Sequence, residues 1–390
     1  MNLVRSTTLA KQRSDTLRRL GILASGPQFF AVRPLHLSRR SVFQARFGQS
    51  LPLTASMPVS ADSHAHSRVE PQRVDAPLTQ SATFLVLTLT DSPGAAKTVR
   101  SVLANITDLN KNVSIRDPFA ALNCTVGIGA DAWDRIMAPV GLLKPPELHP
   151  FRVVRGAVHT APSTPGDLIF HIRSERRDMN FEFERQLLDA LGDSVSVADE
   201  TIGFRYFDVR DLLGFVDGTA NPATATQISK AVLVASDDGD SADLAATGAV
   251  GGSYVVVQKY VHDMKAWRSL SSEAQEAIIG RTKWDNVELA DADDSKQKAH
   301  KTLANITDDD GTEHSILRDN MPFGSPASGQ FGTYFIGYSR HLWVIERMLE
   351  RMFIGDPPGL HDRLLDYSSA LTGSVFFVPS ATTLQNLDKD

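Results

Sequence analysis

The sequence predicts an α+β fold built of antiparallel sheets with peripheral helices. Two observations carry the first half: strand-length apolar runs alternate with helical stripes, and their order is strand, helix, strand, strand, helix, strand, which is that of a ferredoxin-like unit. A third observation is that similar segments recur after an acidic, glycine-rich stretch, so the halves read as two versions of one architecture without a residue-level repeat. The 390 residues, 42% hydrophobic and 22% charged, suffice for one large or two ordinary globular domains.

In chain order, residues 1–60 stand apart. Arg5, Lys11, Arg13, Arg18, Arg19, Arg33, Arg39, Arg40 and Arg46 face a single acid, Asp15, with serine and threonine between them. This composition predicts an organelle transit peptide, and the basic amphipathic pattern of Leu9 to Leu20 favours a mitochondrion over a plastid. A disordered basic tail or an overextended gene model gives the same composition, and the cytoplasm is then the alternative address. Residues 61–77 read as a polar linker.

The first half spans 78–235. It opens with the strand Phe84–Leu87, followed by a helix with Val99, Val102, Leu103 and Ile106 on one face. Cys124–Ile128 and Leu168–Ile172 are strands, Ala130–Met137 is a short helix, and Phe183, Leu187, Ala190 and Leu191 mark a helix ended by Gly192. Residues 236–252 read as a surface loop. In the second half, 253–390, Tyr254–Val257, Tyr334–Tyr338 and Val375–Val378 are strands. Ser272–Gly280 and the Ile345, Met348, Leu349, Met352 stripe are helices.

A net charge of −6 and a pI near 6.0 argue against a general nucleic-acid binder, and no window is apolar enough for a membrane span. One cysteine, Cys124, excludes an intrachain disulfide, a multi-cysteine cluster and Cys-x-x-Cys-His haem attachment. Its apolar surroundings read as those of a buried structural thiol.

The segment Gly214–Pro222, GFVDGTANP, holds Asp217 between glycines on a turned backbone. Together with Ile316–Gly324, ILRDNMPFG, it resembles the signature segments of the dye-decolorising peroxidases, in particular the compact bacterial-type subfamily, and the likeness runs from about Gln80 to Ser380. The resemblance implies duplicated ferredoxin-like units with the cofactor pocket in the second half, and one noncovalent haem b per chain. The activity it implies is peroxidase chemistry on hydrogen peroxide with phenolic or dye-like aromatic donors, in a homo-oligomer.

Such chemistry needs an axial ligand, a proton carrier and a fixed cation. By resemblance these are His300, Asp217 and Arg318, with Asn320 beside the arginine and Arg281 toward a haem propionate. His300 lies 318 − 300 = 18 residues before Arg318, in an HKTLANI context; His314 and His262 are its rivals. A carboxylate base works at acidities where a histidine base is protonated, so turnover is expected to peak below neutral pH. The alternative is a haem carrier or haem-processing protein with incidental peroxidase activity.

Overall fold

The computed structural model describes residues 69–308 and 310–388. Ten strands form one sheet: β1 (Ser81–Leu89), β2 (Asn123–Gly129), β3 (Leu168–Ser174), β4 (Val195–Phe204), β5 (Ser253–His262), β6 (Leu317–Arg318), β7 (Met321–Ser325), β8 (Gln330–Ser339), β9 (Ser368–Ala370) and β10 (Ser374–Val378). Their order is β6-β8-β5-β10-β2-β3-β1-β4, with β7 also on β8 and β9 also on β5, and every pairing is antiparallel. The first four strands thus lie as 4-1-3-2, the ferredoxin-like order. The second half repeats it as β10-β5-β8-β6, and the two units join where Phe376 and Phe377 of β10 pair with Gly129 and Ile128 of β2.

The helices are α1 (Ala95–Ala104), α2 (Ile106–Ser114), α3 (Ala130–Ile136), α4 (Arg177–Leu191), α5 (Ala225–Val232), α6 (Ser241–Thr247), α7 (Met264–Arg268), α8 (Ser272–Ile279), α9 (His300–Leu303), α10 (Leu342–Phe353) and α11 (Ala381–Gln385). Strand alternation divides the core between two faces. Leu85, Phe170, Val256 and Phe377 face a cluster shared with Val99, Trp133, Phe183 and Ile345 of α1, α3, α4 and α10. Phe84, Ile169, Val255 and Phe376 face the other way, packed with Tyr334, Ile336 and Val232.

One expectation needs correction. The stretch 236–252 is not loop throughout, because Asp240 caps α6 by accepting from the Ala242 amide at 2.8 Å and Gly248 ends it at φ 60°. Its small residues hid a helix too short to show a stripe. The strand before Asp217 is β4, which stops at Phe204. Its alternation is blurred because, as an edge strand, it leaves most of its residues half-buried or exposed. Cys124 lies on β2, and burial pushes its thiol pKa up, which leaves it a poor nucleophile.

Candidate active site

The loop after β4 is shaped before it is functional. The Asp211 carboxylate accepts from the amides of Gly214 and Phe215 at 2.8 and 2.9 Å, closing a turn in which Gly214 takes φ 98°. Phe215 anchors that turn in a small core with Leu213, Trp267 and Ile278. Gly218 at φ 73° then reverses the chain, so Asp217 is presented with its amide on the Val209 carbonyl, 2.9 Å, and its own Oδ1 accepting from the Gly218 amide, 2.6 Å. Burial pushes the Asp211 carboxyl up to about 7, with Asp217 nearby adding to the rise and the backbone amides opposing it.

The two signature segments clasp each other. Asn221 accepts from the Arg318 amide at 3.0 Å and donates to the Arg318 carbonyl at 2.7 Å. Two residues on, Asn320 accepts from the Ile336 amide at 3.1 Å, which orients its amide so that Nδ2 donates to Asp217 Oδ2 at 3.1 Å. Arg318 also donates to the Ala304 carbonyl at 3.3 Å; burial lowers its pKa while Asp217 opposes the fall, and a guanidinium so placed stays charged.

His300 opens α9. Its Nδ1 is bound at 2.6 Å by the fully buried Asp362, whose other oxygen accepts from the Leu364 amide at 2.9 Å. Burial works against protonating the imidazole, but Asp362 overcomes it and leaves the pKa raised. With Nδ1 engaged, Nε2 has no protein partner among the described residues. His262 differs: its Nδ1 meets Ser368 Oγ at 2.8 Å and its Nε2 meets Thr333 Oγ1 at 3.0 Å, and burial holds its pKa down to about 4. His314 pairs with Asp308 at 2.6 Å and lies outside the cavity lining.

Asp217, Arg281, His300, Arg318 and Asn320 all line one cavity of about 680 Å³, with Ile345, Met348, Leu349 and Met352 of α10 as an apolar wall. The volume falls within the range of cofactor pockets. Arg281 is already bonded to Asn286 Oδ1, the Asn286 carbonyl and Glu288 at 2.7, 2.9 and 2.8 Å, so it braces its own loop as well as lining the cavity. Sequence reasoning missed Asp362, 62 residues from His300 and without any spacing signal, and assigned Asn221 no role.

A family model described as Dyp-type peroxidase, N-terminal, matches residues 71–205, and its C-terminal counterpart matches residues 208–383. The chain belongs to the dye-decolorising peroxidase family. It is 51% identical over 320 residues to a dye-decolorizing peroxidase of Mycobacterium tuberculosis, covering 82% of this chain and 90% of that one. To the Brevibacterium linens enzyme it is 49% identical over 319 residues, 82% and 83% of the two chains. Among solved structures, DyPB from Rhodococcus jostii RHA1 superposes with a TM-score of 0.76 at 51% identity, covering 82% of this chain and 98% of that one. A variant of that Rhodococcus protein was solved in complex with heme. The enzyme class and cofactor implied by the sequence, a haem peroxidase, are those of the family. The mitochondrial or plastid address is overturned, since these relatives are bacterial. Arginine- and serine-rich, acid-poor composition describes any solvated basic segment, and residues 1–60, the expected transit peptide, lie outside the described residues.

Proposed function

We propose that this peroxidase reduces hydrogen peroxide at a haem b held noncovalently in the cavity, one per chain, and oxidises phenolic or dye-like aromatic donors by one-electron steps. The observation that carries the reading is the convergence on one cavity of a histidine whose Nε2 has no protein partner among the described residues, a carboxylate and a half-buried guanidinium. The residues fit the group: an apolar wall from α10 suits a porphyrin face, and an imidazole with its Nδ1 held by a carboxylate and its Nε2 without a protein partner among the described residues suits iron. His300 would ligate the iron, with Arg318 and Arg281 toward the propionates. Bound haem supplies the redox-active iron that takes oxidising equivalents from peroxide and returns them singly.

Asp217 takes the proton from one peroxide oxygen and hands it to the other, which leaves as water. Asn320 holds the carboxylate in place while it does so, and the Gly218 amide fixes one of its oxygens. Arg318 sets its positive charge against the negative charge that builds on the departing oxygen. Asp362 keeps His300 in one tautomer and orientation. A haem carrier needs only a ligand and an apolar slot, so the clasps that fix Asp217 and Arg318 favour catalysis.

Stopped-flow absorption on the haem-loaded chain tests this against Asp217→Asn and Arg318→Leu. Both variants should keep the haem band, and the rate of reaction with peroxide should fall about 100-fold or more in at least one. Unchanged peroxide reactivity in both, with haem bound, favours the carrier. His300→Ala should lose or alter the haem band. Association of several copies is part of the reading, measured by light scattering after size-exclusion chromatography.

A further inference from the structure

We propose that His159, His361 and Asp366 form a binding site for a divalent transition-metal ion of the zinc or copper class, apart from the haem cavity. One ligand atom from each lies within 4.8 Å of the other two, and none of the three lines the cavity. His159 Nε2 is 3.0 Å and His361 Nε2 is 2.9 Å from the same oxygen, Asp366 Oδ1. These are hydrogen-bond separations, a few tenths of an ångström under the roughly 3.3 Å between neighbouring ligands of a tetrahedral ion with bonds of about 2.0–2.1 Å, so an entering ion replaces the bonds with a small side-chain shift. The imidazoles meet edge to face, 4.9 Å between centroids and 71° between planes. Two imidazoles and a carboxylate make the mixed nitrogen and oxygen set that zinc and copper accept, and the calcium or magnesium type does not.

The surroundings are built for such a role. Arg363 Nε holds Asp366 Oδ2 at 2.7 Å, which orients the carboxylate and leaves Oδ1 to the histidines. His159 sits at the turn of a two-stranded ribbon, Val154–Arg155 with Thr160–Ala161, closed by a 2.9 Å bond from the Gly156 amide to the His159 carbonyl. A side chain at Gly156 would meet the Phe353 carbonyl oxygen at 1.8 Å, so only glycine lets the turn sit against the end of α10. The side chains are 23%, 16% and 29% exposed, shielded from bulk water yet open to an entering ion. The ion would staple a ribbon of the first half to the segment that carries Asp362, next to His361.

The test uses the untagged, haem-loaded chain, stripped with chelator and titrated calorimetrically with Zn²⁺. Wild type should bind one equivalent. His159→Ala should bind it about tenfold or more weakly, and His149→Ala, outside the cluster, should match wild type. An unchanged haem band in each variant shows that folding is intact. In parallel, Cu²⁺ resonance spectra should report two nitrogen ligands in wild type and one in His159→Ala. No saturable equivalent in wild type, or equal binding by His159→Ala, overturns the site.

Discussion

Asp217 and His300 are placed by opposite means, and this decides what a reader of the sequence can find. Asp217 is held by its own neighbours: glycines at 214 and 218 with positive φ, and the Asp211 turn before them. Local chemistry of that kind leaves a mark within ten residues, which is why the segment stands out. His300 is held by Asp362, which no local pattern connects to it. Sequence reasoning reached the histidine only through resemblance and missed the carboxylate behind it. Asp362→Asn keeps the size of the side chain but removes its charge. Loss of a partner behind a metal-ligating histidine costs roughly 10–100-fold in metal affinity or activity. The variant should therefore retain haem less tightly or turn over more slowly by that factor, measured by haem transfer to apomyoglobin and steady-state rate. Values equal to wild type would show that the 2.6 Å bond does not orient the ligand.

Among elements, the long apolar strands and α4 were legible because a strand buried on both faces, or a helix with one apolar stripe, repeats its signal over seven to fifteen residues. The seven-residue α6 offers no such repetition and is specified by its two caps instead. The stripe of α4 also conceals a charge. Glu184 lies among buried residues, 8% exposed, and burial, aided by Glu200, raises its carboxyl from 4.5 to about 7. In the unfolded chain it ionises near its ordinary value, so between about pH 4.5 and pH 7 the folded form holds a proton that the unfolded form has lost. Stability contributed by this group therefore falls as pH rises through that window and levels off above it. Glu184→Gln removes the dependence. Its melting temperature relative to wild type should be higher at pH 8 than at pH 4.5, and a constant difference between the two would show that Glu184 titrates in the fold as it does in the unfolded chain.

At the scale of the whole molecule, strand alternation in the segment 318–320 couples the cavity to the far side of the sheet. Arg318 and Asn320 line the cavity, whereas Asp319 between them is buried on the opposite face and pairs with Arg173 of β3 at 2.6 Å. Arg173 and Asp319 are 0% and 2% exposed. This ion pair links the first ferredoxin-like unit to the cavity-lining segment of the second, and Arg173 binds the Arg73 carbonyl as well. Sequence reasoning could give Asp319 only as a neighbour of Arg318, because its partner is 146 residues away. Removing one member of a buried pair strands the other charge and costs about 3–5 kcal/mol, whereas replacing both with apolar residues of similar size is often neutral. Arg173→Met and Asp319→Leu should each lower the unfolding midpoint sharply, and the double variant should recover most of the loss. If the pair also sets the register of Arg318 and Asn320, the rate with peroxide should fall in each single variant while the double variant regains it together with stability. A double variant that is stable but slow would mean that the Asp319 charge, and not only its anchoring, acts on the cavity. Single variants that unfold like wild type would leave the ion pair without a part in joining the two units.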